Sequence, residues 1–372
     1  MLWGRAAAFM MRLSASVYPA DLLRLQCFVD DPWMIARGSA RARRKRMTGI
    51  ILLWLALGLS LSWRKKQIAF EVRWIGVTIS LTRDEIWVGL PADFVAKVLK
   101  DITDLMQLRA IPAKRLRKTT GALTWISGVV IFVRAFIAPL WAALASTAHW
   151  DGPPDAATVS QRQVSQALRW LALFLSGNRG TLTRRIRAAP RHFVTSVQIV
   201  TDACPWGVGG VLFVDDLPVA WFSSELLDLD LEMLGAERGN PQGQAAFEGL
   251  ALLIALRCWA HVWKDESAFI LTRSDSIAAL GALIKGNARA TTAGGAQLNR
   301  VMQEVALDAA EGTYEVQVVG HLPAMWNTWA DALSRTGQPG KAAAIPAELE
   351  DIDRTDVEDR GPAWWRTRSP PS

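Results

Sequence analysis

The chain has 372 residues, which gives room for two or three domains with ordinary cores. Its cysteines, Cys27, Cys204 and Cys258, lack the pairing or spacing of a disulfide framework or a cysteine metal site, which indicates an intracellular protein of cytoplasm or nucleus. The net charge of +7 is uneven: residues 1–197 carry 29 Lys and Arg against 11 Asp and Glu, and residues 198–372 carry 13 against 24. A basic half (+18) and an acidic half (−11) predict that the first binds phosphates and the second holds metal ions.

Two adjacent aspartates stand near the start of the chain. Residues 25–35 read L-Q-C-F-V-D-D-P-W-M-I, with apolar residues on both sides of Asp30 and Asp31. This pattern predicts a β-hairpin with the two carboxylates at its tip, where they could hold a metal ion against a triphosphate. An Asp-Asp turn between strands is also common without any metal, so a simple solvated turn stays open.

Basic residues cluster at three places, Arg37–Arg46, Lys114–Lys118 and Arg184–Arg191. Each cluster is a candidate contact for nucleic-acid phosphates, and each could equally be a solvated helix face or loop. The residues assigned to nucleic-acid binding are Lys114, Arg115, Arg117, Lys118, Arg184, Arg185 and Arg187.

Two apolar stretches raise the question of a membrane span. Ile50–Leu61 is shorter than the roughly 20 residues that a span needs. Gly121–Ala145 is long enough, but Arg134 at its centre would cost about 2.5–3.5 kcal/mol on insertion. With Pro139 in the same stretch, the pattern favours a packed helix pair, and no membrane partner is expected.

The second half of the chain alternates between strand and helix patterns. Short β-branched runs predict strands, and apolar residues at helical spacing predict helices. A mixed α/β (α+β) fold follows from this order. The predicted strands are 197–200, 208–214, 218–222, 268–272 and 315–319, and the predicted helices are 244–263, 276–285, 295–311 and a short final one that carries Asp331.

Four acidic residues occupy strand ends or helices in this half: Asp202, Glu248, Asp275 and Asp331. Elements of this kind can bring their side chains together. Two divalent ions about 4 Å apart can act on a phosphodiester, and Mg²⁺ prefers carboxylate oxygens. The set therefore predicts a two-metal nuclease site, with Glu237 as an alternative to Glu248 if the first helix begins earlier.

The order Asp, Glu, Asp, Asp on this alternation resembles the ribonuclease H domain of retroelement polyproteins. The closing segment, with His321, Asn327 and Asp331 followed by Ala-Leu-Ser-Arg, is similar to the end of that domain in LTR and DIRS-like retrotransposons. The resemblance implies that the four acids hold two Mg²⁺ ions, with Mn²⁺ as an alternative, and that the substrate is the RNA of an RNA–DNA hybrid. It also implies that His321 lies on a mobile loop and aids proton transfer or product release.

The N-terminal segment resembles a reverse transcriptase palm. F-V-D-D is similar to the Y-x-D-D motif, which implies that Asp30 and Asp31 are metal ligands. Gly58–Lys66 and Val72–Val77 resemble the next palm segments and the primer-gripping hairpin, and residues 1–15 resemble a remnant of the preceding motif. A palm needs a further aspartate on an earlier strand, and only 27 residues precede Phe28. RNA-directed DNA polymerase activity is therefore expected to be incomplete.

The sequence thus predicts an N-terminally truncated retrotransposon reverse transcriptase–ribonuclease H fragment. The expected organisation is a partial palm in 1–90, a helical thumb or connection in 91–190, a ribonuclease H-like domain in 191–337 and a disordered tail in 338–372. The expected function is endonucleolytic hydrolysis of RNA in hybrids. The alternative is a catalytically silent nucleic-acid-binding remnant, and a partner chain that supplies the missing polymerase half stays open.

Overall fold

The structure, a computed structural model, describes residues 2–82, 85–149, 156–187, 197–263, 270–312, 316–341 and 344–368. The chain divides into two compact units. The first is Met1–Pro91 with Arg185–Ala188, and the second is Ala92–Arg184 with Ala189–Ser372.

Helices and sheets are mixed along the described residues, which confirms the α/β (α+β) class. The helices are α1 (Leu2–Val17), α2 (Ala40–Ala56), α3 (Ala92–Met106), α4 (Ala113–Ile126), α5 (Arg134–Ala145), α6 (Gln161–Leu175), α7 (Asp228–Leu234), α8 (Gln244–Cys258), α9 (Ala260–Trp263), α10 (Ile277–Lys285), α11 (Ala293–Ala310) and α12 (Thr328–Ser334). The strands are β1 (Leu23–Phe28), β2 (Asp31–Ala36), β3 (Glu71–Trp74), β4 (Val77–Leu81), β5 (Glu85–Gly89), β6 (Ala110–Pro112), β7 (Thr158–Ser160), β8 (Thr183–Arg187), β9 (Val197–Cys204), β10 (Gly207–Val214), β11 (Leu217–Glu225), β12 (Ile270–Ser274), β13 (Val316–His321) and β14 (Asp353–Arg354).

The first unit has a small core between its first helices and a hairpin. β1 and β2 pair antiparallel, and a second sheet has the order β3-β4-β5-β8. Leu23 of β1 packs with Ile50 and Trp54 of α2, and all three are buried. The Trp54 indole donates a 2.7 Å hydrogen bond to the Ser14 hydroxyl of α1, so the buried N–H has its acceptor.

The second unit begins with α3 to α6, which pack around an aromatic core. Phe136 of α5 lies 5.7 Å from Trp170 and 5.1 Å from Phe174 of α6, measured between ring centroids. These helices also contact α11, where Asn299 donates a 2.7 Å hydrogen bond to the Ala135 carbonyl. Helices α3 to α6 belong to the same unit as the six-stranded sheet. The domain boundary predicted between residues 190 and 191 lies outside the described residues.

One helical stretch of the described residues, Ile131–Ala148, is long and apolar enough to cross a membrane. The side chains of Phe136, Ile137, Leu140 and Leu144 within it are buried in the protein. The stretch packs against α4, α6 and α11, as the core helix of a globular unit does.

A six-stranded sheet forms the centre of the second unit, in the order β13-β12-β9-β10-β11-β14. β9, β10 and β11 form an antiparallel meander, whereas β12 runs parallel to β9, β13 to β12 and β14 to β11. α8 packs against β9 and β10, and α12 packs against β9, β10 and β11. The predicted strands and helices of this half are confirmed, except that the helix predicted to run to residue 263 ends at Cys258, and one further turn follows as α9.

Gly209 lets α12 approach the sheet closely. A Cβ atom at this position would stand 2.6 Å from the Leu333 Cβ and 2.8 Å from the Ala330 carbonyl oxygen. Any side chain at Gly209 would therefore displace α12, the helix that carries Asp331.

The C-terminal segment differs from the expected disordered tail. Within residues 344–368, β14 pairs with β11, and the Trp221 indole donates to the Leu349 and Ile352 carbonyls at 3.1 and 3.0 Å. Arg360 and Trp365 are fully buried. The acidic, proline-rich composition suggested disorder, but one arginine and a few tryptophans are enough to anchor the segment.

Candidate metal centre

Three carboxylates from three different elements meet at one end of the six-stranded sheet. Asp202 lies near the end of β9, Glu248 near the start of α8, and Asp275 directly after β12. One carboxylate oxygen of each residue lies within 4.8 Å of those of the other two. Because β9 and β12 are adjacent and parallel, their carboxyl ends share one edge, and α8 packs over β9 from the side.

Glu248 is held by hydrogen bonds to both of its oxygens. The Gln244 amide, one helical turn earlier, donates to Oε1 at 2.8 Å and also to the Ala203 carbonyl at 2.6 Å. The Ser274 hydroxyl donates to Oε2 at 3.3 Å. Gln244 and Ser274 escaped the sequence analysis, although Gln at four residues before an acid on a helix is a usable signal.

Asp202 is held from the other side by α12 and the residue before it. The Ser334 hydroxyl donates to Oδ2 at 2.9 Å, and the Asn327 amide nitrogen lies 3.4 Å from Oδ1. The same amide donates to the Thr201 carbonyl at 3.0 Å. The segment from His321 to Arg335 therefore contacts the cluster through Asn327 and Ser334.

Burial raises the pKa values of two of the carboxyls. The pKa of Asp202 rises to about 7, first because the group is desolvated and then because of the charges of Asp275 and Asp331, with the Ser334 hydrogen bond opposing the shift. The pKa of Glu248 rises to about 9, again first by desolvation and then by the charges of Asp202 and Asp275. Both desolvation and the neighbouring negative charges disfavour the ionised forms of these two groups.

Asp331 lies on α12, close enough to raise the pKa of Asp202, but outside the three-acid group. Its Oδ1 accepts a 2.7 Å hydrogen bond from the Arg335 guanidinium, one helical turn later. The pKa of Arg335 is raised, chiefly by this hydrogen bond. Both side chains are part-exposed, at 37% and 41%.

The alternative acid and the candidate histidine lie elsewhere. Glu237 is exposed on the turn after α7, where the Asn240 amide lies 3.5 Å from its carboxylate, so Glu248 is the residue that joins the cluster. His321 is the last residue of β13, exposed and opposite Ser274 of β12.

The cluster fits a divalent metal ion of the magnesium type. Its ligand atoms are carboxylate oxygens, which such ions prefer, and no cysteine or histidine belongs to the described group. The buried Asn327 Oδ1 has no hydrogen-bond partner among the described residues. A buried acceptor of this kind can be satisfied by a water molecule of a metal ion's shell.

Asp30 and Asp31 lie at the tip of the β1–β2 hairpin, and both are exposed. Phe28 pairs with Asp31, which leaves Val29 and Asp30 as the two-residue turn. Among the residues that the structure covers, neither aspartate belongs to a group of three potential metal ligands.

The basic candidates lie on α4 and β8. On α4, all four candidates are exposed: Lys114, Arg115, Arg117 and Lys118. On β8, Arg184 and Arg185 are exposed, and Arg185 forms an ion pair with Glu85 of β5. The side chain of Arg187 lies outside the described residues.

The Mg²⁺-induced rise in melting temperature is expected to grow between pH 6 and pH 9. Only the carboxylate forms of Asp202 and Glu248 bind the ion, and their pKa values of about 7 and 9 place deprotonation in this window. Without metal, stability is expected to fall as pH rises from about 4 to about 9, because the folded state keeps protons that the unfolded state has released. Thermal unfolding at pH 6, 7.5 and 9, with and without Mg²⁺, measures both effects. A Mg²⁺ shift that is equal at all three pH values would contradict this prediction.

No protein-family model and no curated protein sequence matches the chain. A foamy viral protease-reverse transcriptase in complex with dsDNA is similar at 16% identity and a TM-score of 0.38, over 74% of this chain and 50% of that one. The same kind of protein in complex with RNA/DNA hybrid is similar at 14% identity and a TM-score of 0.39, over 93% of this chain and 40% of that one. The chain thus spans half or less of these proteins. At this level of similarity, function has to be argued from the side chains.

Proposed function

We propose that the acidic half of this chain is a ribonuclease H-type endonuclease, which hydrolyses the RNA strand of RNA–DNA hybrids with divalent metal ions. The observation that supports the proposal is the meeting of Asp202, Glu248 and Asp275, from two parallel strands and a helix, with ligand oxygens within 4.8 Å. A group of three close acids, two of them buried, is costly for stability, and its chemistry suits a metal-dependent phosphodiesterase.

Asp202, Glu248 and Asp275 would hold the ions, with Asp331 as the fourth ligand. When bound, a pair of divalent ions supplies charge stabilisation to the attacking and leaving oxygens of a phosphodiester. Gln244 and Ser274 fix both oxygens of Glu248, so its carboxylate keeps one orientation.

Asp331 and His321 have the more exposed roles. Asp331 would exchange Arg335 for a metal ion, because a part-exposed ion pair contributes only about 0–1 kcal/mol. His321 would carry a proton at a ring nitrogen or aid product release, as an exposed residue at the end of β13.

The remainder of the chain is proposed to derive from a retrotransposon reverse transcriptase. The β1–β2 hairpin with Asp30 and Asp31 would be part of a palm with an incomplete polymerase site, and α3 to α6 a thumb or connection. The basic residues of α4 and β8 would bind the hybrid's phosphates.

A second candidate is a catalytically silent nucleic-acid-binding remnant. One observation favours it: Asp331 is paired with Arg335 and does not join the three-acid group.

Cleavage of labelled RNA by the full chain with Mg²⁺ distinguishes the two candidates. We expect cleavage within an RNA–DNA hybrid and none of single-stranded RNA or double-stranded DNA. Glu248→Gln is expected to lower the rate on the order of a thousandfold, which corresponds to about 4 kcal/mol. Glu237→Gln, the matched exposed acid, is expected to leave the rate unchanged. Wild-type protein that binds the hybrid but does not cut it would establish the silent alternative.

A further inference from the structure

Arg273 lies on the same face of the sheet as Asp202 of the acidic cluster. In β12, the strand between β13 and β9, it is opposite Val200 of β9 and Gly320 of β13. Side chains alternate between faces along a strand, and paired residues of neighbouring strands share a face. Asp275 follows two residues after Arg273, and Asp202 follows two residues after Val200. The guanidinium therefore shares the face to which Asp202 belongs, whereas Asp275 lies just beyond the end of β12 and Ser274, which contacts Glu248, belongs to the other face.

The Arg273 Nε is buried and has no hydrogen-bond acceptor among the described residues. The side chain as a whole is half-buried. A buried N–H without an acceptor is costly. Arginines elsewhere in this unit, such as Arg257 and Arg360, have carboxylate partners. A buried Nε without an acceptor among the described residues, on the face of Asp202, indicates an acceptor that comes from outside the chain.

Gly320 keeps the space beside the guanidinium open. A Cβ atom at Gly320 would stand 3.5 Å from the Arg273 Cγ and 3.6 Å from its Nε. Any larger side chain at this position would cover the stem of the arginine. On this face α12 packs over β9, β10 and β11, which are the strands on the side of β12 away from β13.

We propose that Arg273 binds a phosphate of the strand that is cut, within about two nucleotides of the scissile linkage. Two residues along a strand span about 6.5 Å, and one strand of a duplex carries a phosphate for each ~3.4 Å of helix axis. A guanidinium binds phosphate oxygens through two parallel hydrogen bonds, which a carboxylate cluster cannot do. The position of the phosphate relative to the scissile bond rests on the proposed function.

This contact would offset a problem that the cluster itself creates. Several carboxylates repel an approaching phosphodiester, and metal ions neutralise them only when they are bound. Arg273 is a fixed cation on the face of Asp202, so it would orient the strand whatever the metal occupancy.

Binding titrations of the full chain with an RNA–DNA hybrid at several salt concentrations test the proposal. Arg273→Gln is expected to weaken binding about tenfold to a hundredfold, and to reduce the log–log salt slope by about 0.9, the value for one phosphate contact on a duplex. Arg273→Lys should retain most of the slope but lose part of the affinity, because it keeps the charge and loses the paired geometry.

Arg354→Gln is the matched control. Arg354 is exposed on β14, four strands away from β12 in the same sheet, or roughly 19 Å. The Arg354→Gln substitution removes the same charge and is expected to change neither the affinity for the hybrid nor the salt slope. Melting temperatures of all three variants show whether each is folded.

A hybrid with single neutral methylphosphonate linkages locates the contact. One neutral linkage close to the cut site should weaken binding by wild type but not by Arg273→Gln. Equal affinity and slope for wild type and a folded Arg273→Gln would overturn the proposal, and so would a wild-type chain that binds no hybrid. Binding that depends on Arg273 without any cleavage would support this contact and refute only the nuclease function.

Discussion

Asp202→Asn is expected to abolish hybrid cleavage while hybrid binding persists. The substitution removes a negative ligand from the centre of the cluster but keeps the shape that Ser334 and Asn327 contact. Loss of metal-dependent charge stabilisation is worth several kcal/mol, so the rate should fall on the order of a thousandfold or more. Single-turnover cleavage and hybrid titration on the same preparation separate the two effects.

The same variant is expected to be more stable than wild type without metal. The raised pKa of Asp202, about 7, means that its ionisation destabilises the fold as pH rises above about 4, and the full effect is present above pH 7. Removing this carboxylate should therefore raise the free energy of unfolding at pH 8 by a few kcal/mol, with little gain at pH 4. Mg²⁺ should then stabilise the variant much less than wild type. A variant that is less stable at pH 8, or still cuts hybrid, would contradict the assignment of Asp202.

Arg360→Ala is expected to destabilise the second unit by about 3–5 kcal/mol, the usual cost of leaving one partner of a buried ion pair. Arg360 is 1% exposed, and its Nε donates to Asp230 Oδ2 at 2.9 Å. It also donates to the Ser224 hydroxyl at 3.0 Å and the Glu225 carbonyl at 2.6 Å. Its loss leaves the fully buried Asp230 with two neutral donors, the Trp365 indole at 3.1 Å and the Leu227 backbone N–H at 2.9 Å. Urea unfolding of the full chain measures the change.

Arg368→Ala is the control from the same segment. Its pair with Glu232, at 3.2 Å, has side chains that are 46% and 62% exposed. Such exposed pairs contribute about 0–1 kcal/mol, so this variant should unfold close to wild type. Equal effects of the two substitutions would mean that residues 344–368 do not dock as the structure shows. The assays need the full chain, because a chain that ended before residue 344 would lack β14 and the buried side chains of Arg360 and Trp365.

Much of the second unit follows from local patterns in the sequence. Short β-branched runs predicted β9, β10 and β11, because β-branched residues favour strands. Helical spacing predicted α8, α10 and α11, because the helical period is a property of the backbone of each segment. The order of the acids along these elements predicted which carboxylates could meet. It did not decide between Glu248 and Glu237, since the start of α8 depends on where its first turn packs.

The tertiary structure alone decided the partners of each charged group. The sequence does not distinguish Arg273, Arg335 and Arg360. In the structure the Arg273 Nε has no acceptor among the described residues, Arg335 pairs with Asp331, and Arg360 is buried on Asp230. The acidic C-terminal segment was predicted to be a disordered tail, but in the structure it contributes β14 to the sheet. The Arg335–Asp331 pair is local, but the Arg360–Asp230 pair and the pairing of β11 with β14 join residues more than a hundred positions apart. A local pattern determines the period of an element, whereas the free energy of a buried charge depends on which distant group comes to lie beside it.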